Sequence, residues 1–202
     1  MKRLLVEGTD DQHVLWSLFK RRHVAQTFEV VETKGYDKLI ARLPVELKGS
    51  NLDALGVVVD ADISTQARWD AVRAAFQKGG FTAVPANPVQ GGLVVTEGDL
   101  RFGIWVMPDN TIPGMLEDFV SFLVPEDDIV WPISDQFVEG LPPSENRFRD
   151  VHKTKAKVHA WLAVQDSPGS PMGQAITKRT LNDSGNVCDD FVDWIGRLFT
   201  AQ

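Results

Sequence analysis

Two short segments place carboxylates where they could do chemistry. Val57-Val58-Val59-Asp60-Ala61-Asp62 is an apolar run ending in two acids spaced i and i+2. Such a run reads as a strand buried on both faces, so both acids would leave the sheet together at an end open to solvent. Leu5-Val6-Glu7-Gly8 repeats the form: a short apolar run, a carboxylate, then a glycine that lets the backbone turn tightly. If the two strands are neighbours, Glu7, Asp60 and Asp62 meet in one cleft. Carboxylates that close repel, and a divalent cation is the natural neutraliser. Mg²⁺ takes one or two protein carboxylates and keeps several waters. The plainer reading is that an aspartate at a strand end only forms a turn or caps the next helix.

The acid pair also suits a phosphatase or phosphomutase of the haloacid dehalogenase type, with Asp60 as nucleophile and Asp62 as acid/base. Those enzymes want a later Gly-Asp-x-x-x-Asp. Here Gly98-Asp99 is followed by Gly103 at the needed place, and Glu7 has no part. Asp10 and Asp11 fall in the first turn of a predicted helix, where the dipole favours acids; capping is the reading, ahead of ligation. Lys20-Arg21-Arg22 sits near that helix's end. It complements the dipole, with phosphate contact as the alternative. One cysteine, Cys188, excludes a disulfide framework or thiolate cluster and reads as a buried, inert thiol. His13, His23, His152 and His159 show no ligand spacing. Trp16, Trp161 and Trp194 lie within apolar helix patterns, which favours core packing over a base-stacking surface.

The elements that must position these residues follow from periodicity. Residues 2–7, 28–33 and 55–59 read as strands. Residues 9–22, 36–47 and 65–78 read as helices, the first opened by a Thr9-x-x-Gln12 capping box. Ser64 or Thr65 caps the third and Gly79-Gly80 stops it. Residues 82–88 read as extended, and 93–95 with 102–107 as a hairpin. Residues 115–123, 155–164 and 187–199 read as helices. Residues 124–146 are rich in proline and acids and read as irregular surface. Strand–helix alternation at the start predicts an α/β fold, a mainly parallel sheet flanked by helices. Function in such sheets collects beyond the carboxyl ends of the strands. The division expected is an α/β domain over residues 1–125, with residues 126–202 supplying an irregular segment and C-terminal helices packed on it.

Leu5-Val6-Glu7-Gly8-Thr9-Asp10-Asp11 followed by Val57-Val58-Val59-Asp60-Ala61-Asp62 resembles a Toprim domain, as found in topoisomerases, bacterial primases, recombination proteins of the RecR type and OLD nucleases. Nearly the whole chain resembles a small group of stand-alone, OLD-like Toprim proteins (DUF3226-like). The stretches that carry this are Gly103–Asn110, Gly114–Phe119 and Lys155–Ala163. The resemblance implies a Rossmann-like Toprim fold with a C-terminal helical extension and a Mg²⁺ (or Mn²⁺) site. It implies Glu7 as metal ligand or general acid/base, and Asp60 and Asp62 as metal ligands. It also implies a second metal held by acids on a later helix, where Glu117 and Asp118 stand, and a catalytic lysine, for which Lys153, Lys155 and Lys157 are candidates. The implied reaction is hydrolysis of a DNA or RNA phosphodiester backbone. The alternative is a catalytically silent module binding metal or nucleotide within a larger defence or repair complex.

The chain departs from the family pattern in three ways. It has no GxxxxGK[ST] loop, so an ATPase would have to be a separate protein partner. Its only tyrosine, Tyr36, sits in a predicted helix, and nothing resembles a zinc ribbon. A homodimer is compatible with this reading. The net charge of −7 argues against bulk coating of nucleic acid, and residues 101–150 hold ten acids against three bases. No apolar run approaches the ~20 residues of a membrane span and the N-terminus is too short-lived in apolarity for a signal peptide. The expectation is a cytoplasmic protein without a membrane partner.

Overall fold

The computed structural model describes residues 1–200, so the last two residues of the 126–202 segment lie outside it. The expected alternation is present. Strand β1 (Lys2–Val6) leads to helix α1 (Thr9–Arg21), β2 (Glu29–Glu32) to α2 (Tyr36–Glu46), and β3 (Ala54–Asp60) to α3 (Thr65–Lys78). A hairpin of β4 (Leu93–Glu97) and β5 (Leu100–Met107) completes one five-stranded sheet in the order β2-β1-β3-β5-β4. The pairs β1/β2, β1/β3 and β3/β5 are parallel, and only β4 runs antiparallel to its neighbour. The fold is a Rossmann-like α/β fold.

The period of two along β1 and β3 divides the core into two layers. Leu5, Val57 and Val59 face α2 and α3, joining Leu39, Leu43, Trp69 and Phe76. Leu4, Val6 and Val58 face the other way, against α1 and the later helices. Those helices are α4 (Leu116–Ser121), α5 (Trp131–Glu139), α6 (Lys153–Leu162, after a 3₁₀ turn at Asp150–His152), α7 (Met172–Thr177) and α8 (Asn186–Phe199). Helix α8 buries Cys188, Phe191, Trp194, Ile195, Leu198 and Phe199. Its Trp194 Nε1–H donates to the Leu93 carbonyl at 2.8 Å, tying the C-terminal helix to β4. Large apolar side chains so buried contribute roughly 1.5–3 kcal/mol each, so the final helix is part of the domain's core.

Several expectations are corrected. The N-cap of α1 is Gly8, not Thr9. Asp11 Oδ2 accepts from the Gly8 N–H at 3.0 Å, while Gln12 donates instead to the Val30 carbonyl at 2.9 Å. Trp16 is 40% exposed, because α1 buries the stripe of Val14, Leu15, Leu18 and Phe19 and leaves Trp16 beside it. Residues 131–139 form a helix within the segment expected to be irregular. Pro132 falls in the first turn, where its missing N–H costs nothing. Asp128 Oδ1 caps this helix by accepting from Val130 and Trp131 N–H at 2.8 and 2.7 Å. Residues 82–88 form no strand, and α7 carries no sequence signal strong enough to predict it. Arg21 and Arg22 are spent internally, on Asp183 and Asp189, each at 2.5 Å.

Helix α7 lies so close to α1 that a Cβ on Gly173 would come within 2.6 Å of the His13 carbonyl oxygen, a backbone atom that cannot yield alone. Gly173→Ala is therefore expected to destabilise the protein by about 1–3 kcal/mol through overpacking. A lower urea midpoint with an unchanged m-value is the readout.

Candidate functional site

The carboxyl ends of β1, β2 and β3 open onto a cleft of about 430 Å³. Its walls carry Glu7, Asp10, Asp11, Glu32, Asp60 and Glu117, with Lys34 and Lys155 at the rim. The parallel pairing of β1 with β3 makes this convergence, since it brings the two strand ends side by side. Glu7 Oε1 accepts from the Asp60 N–H at 2.9 Å, which fixes the glutamate across the end of β3. Asp60 Oδ1 accepts from the Leu116 N–H at 2.9 Å, at the start of α4. Glu7 and Asp60 each keep a second oxygen free of protein hydrogen bonds among the described residues.

Asp11 is the third acid of this group. It is buried at 7% exposure, and its Oδ1 has no hydrogen-bond partner among the described residues. The sequence indicated its capping role, which Oδ2 performs. It gave no sign that the other oxygen would be buried without a partner.

Electrostatics reinforce the geometry. Burial pushes the Glu7 carboxyl up to about 7, against the opposing hydrogen bond from Asp60. Burial likewise raises Asp11 to about 6. Asp60 is pushed well above the usual carboxylate range by burial first, then by the charges of Asp11, Glu7 and Glu117. Groups shifted this way by desolvation and crowding mark functional clefts.

The other candidates separate. Glu117 is 3% exposed and pairs with Lys155 Nζ at 2.7 Å. Burial opposes the charge on Lys155, but Glu117 outweighs it, with Asp10 and Asp60 adding to the raised pKa. Lys157 points elsewhere, to Asp135 at 2.6 Å and Glu139 at 2.7 Å, and Lys153 also pairs with Glu139, at 3.0 Å. Helical spacing explains the divergence, because residues two apart on a helix do not share a face. Asp118 stands outside the lining of the acid cleft, and its Oδ2 accepts from the Met115 N–H at 2.7 Å, capping α4. Asp62 lies apart from Glu7 and Asp60. It adopts φ +51°, bridges Gly114, and pairs with Arg68 in the groove beside the cleft. Glu32, at the end of β2, was not singled out from sequence. Thr9 Oγ1–H donates to its Oε1 at 3.1 Å.

Among the described residues no three His, Cys, Asp or Glu side chains already form a metal cage. Mg²⁺ does not require one, since it prefers one or two carboxylates and several waters. The free oxygens of Glu7 and Asp60, with the orphaned Asp11 Oδ1 nearby, are a donor set of that kind.

Fold and cleft together define an α/β protein with an acidic site at the carboxyl edge of a mainly parallel sheet. Residues 1–200 match the model of the family described as "Protein of unknown function (DUF3226)", and the chain belongs to that family. No curated protein and no solved structure matches it. No helix among the described residues is long and apolar enough to cross a membrane.

Proposed function

We propose that this protein is a Toprim-type, OLD-like phosphodiesterase that hydrolyses nucleic acid with Mg²⁺ or Mn²⁺. The observation that carries the reading is the pairing of Glu7 with the end of β3, which sets two desolvated carboxylates side by side at the mouth of the sheet. A divalent ion held there would supply Lewis-acid polarisation of the phosphodiester. Glu7 and Asp60 would hold it, with Asp11 as an additional ligand and Glu117 lining the same cleft. In the alternative role of general acid/base, Glu7, whose carboxyl burial raises to about 7 in the metal-free protein, would accept or return a proton at neutral pH. Lys155 reaches the same cleft from α6 and can exchange its Glu117 partner for a phosphate oxygen.

The test is cleavage of single- and double-stranded DNA and RNA with Mg²⁺ or Mn²⁺. Chelator-sensitive cleavage is expected, and no cleavage of any of the four would defeat the reading. Tight Mg²⁺ binding without turnover would point instead to a silent module. Lys155→Ala is expected to lower the rate about 10²-fold, in the range of one lost transition-state contact. Lys157→Ala should leave the rate within about threefold, because its partners lie on α5.

A further inference from the structure

The acid cleft continues into a second open groove of about 410 Å³, and the two share Lys34 and Gly35 as a common wall. The character of the surface reverses across that wall. The second groove is lined by Lys34, Lys38 and Arg68, with Asp37 as its only acid and Tyr36 as its aromatic. Lys34 and Lys38 are exposed and appear in no ion pair among the described residues. Lys34 adopts φ +63°, a left-handed conformation that a lysine holds at some cost. It is the residue at which the two grooves meet. The Arg68 guanidinium lies over the Tyr36 ring with its carbon 3.7 Å from the centroid, held there by Asp62. Beside this stack Ile63 is 82% exposed, in a shallow depression that also includes Tyr36 and Arg68.

A cation-lined groove with a stacked aromatic and an exposed apolar side chain has the ingredients of a single-strand binding surface. Lysines track the phosphates, and unstacked bases lie against aromatic or guanidinium planes. A duplex keeps its bases inside its own stack and offers them to no such surface. We infer that this groove holds the single-stranded segment flanking the phosphodiester in the acid cleft. Lys34 and Lys38 take its next phosphates, and a base lies on the Tyr36–Arg68 stack against Ile63. This rests on the phosphodiesterase reading for the identity of the strand in the cleft. It also gives Asp62 a role: that carboxylate fixes the guanidinium that forms the platform. The strand is thereby carried past the acids, whose own charge would repel it, and the net charge of −7 is no obstacle to local binding.

The test is fluorescence anisotropy of a short, fluorescein-labelled oligothymidylate, with Ca²⁺ in place of Mg²⁺, titrated across a range of salt. The wild-type protein should bind it more tightly than a duplex of the same length. The double variant Lys34→Gln/Lys38→Gln should bind at least about tenfold more weakly. Its slope of log affinity against log salt should be shallower by about 1.4, two contacts at roughly 0.7 each. Tyr36→Leu should weaken binding without changing the slope, its fold verified by circular dichroism. Equal affinity and slope in the double variant overturns the assignment, as does equal or tighter binding of duplex or no binding by the wild type. Asp60→Asn separates the two ideas. Lysine-dependent binding without cleavage by the wild type leaves the groove standing and removes the phosphodiesterase reading. Cleavage that falls in Asp60→Asn, with binding indifferent to the lysines, does the reverse.

Discussion

Asp60→Asn should reduce metal-dependent cleavage by roughly 10³-fold or more, since losing a metal ligand forfeits several kcal/mol at about 1.4 kcal/mol per tenfold. The side chain sits at the end of the central strand, where Oδ1 is fixed by the Leu116 N–H and the other oxygen is left for a ligand. Asparagine keeps the volume and can keep the Leu116 bond through its own carbonyl oxygen. What it removes is the charge. The fold should therefore survive, and the metal-free variant should unfold at a higher temperature than the wild type, because asparagine is neutral without binding a proton at a place where burial and Asp11, Glu7 and Glu117 disfavour a charge. Initial rates with Mg²⁺, paired with thermal melts, measure both effects. Activity within tenfold of the wild type would remove Asp60 from the mechanism.

The second large effect concerns stability against pH. Glu7 and Asp11 have carboxyls raised by burial to about 7 and about 6. A raised carboxyl binds its proton more tightly in the folded than in the unfolded chain. The stability it contributes is therefore fully present below the ordinary carboxylate range and is lost as pH rises through 6 and 7. For Glu7 alone the shift corresponds to about 3 kcal/mol. Carboxylates with the opposite shift, Glu46 beside Arg3 and Arg42 and Asp183 beside Arg21, act only at lower pH. Between pH 5 and 8 the crowded acids should dominate. The metal-free protein is expected to lose thermal stability across that interval. Mg²⁺ at a hundred times its dissociation constant should restore about 2.7 kcal/mol at pH 8. Glu7→Gln should flatten the pH dependence and remove most of the Mg²⁺ effect. A melting temperature that is level from pH 5 to 8, with or without Mg²⁺, would contradict this.

The scaffold of the site was legible because buried strands announce themselves. Val57–Val59 cannot be read as anything but interior, so Asp60 had to stand at a strand end, and the same holds for Glu7 after Leu4–Val6. Their adjacency depended on strand order, which periodicity does not encode. The fate of Asp62 was hidden for a different reason. Its direction is set by a positive φ and by Arg68, six residues on, which in turn leans on Tyr36 from another βα unit. Asp11 was legible only by half: its capping bond is local, but the burial of its other oxygen is a matter of tertiary packing that local spacing does not encode. The different directions of Lys155 and Lys157 follow from acids on α4 and α5, and α5 itself was masked by prolines that the structure places at harmless positions.

The most direct measurement is a crystal structure of the protein soaked in Mn²⁺, read by anomalous scattering. A peak is expected between the free oxygens of Glu7 and Asp60, near Asp11 Oδ1, with Asp62 still paired to Arg68. A cleft without a peak, or a peak held by Asp62 and Asp118 alone, would contradict the account.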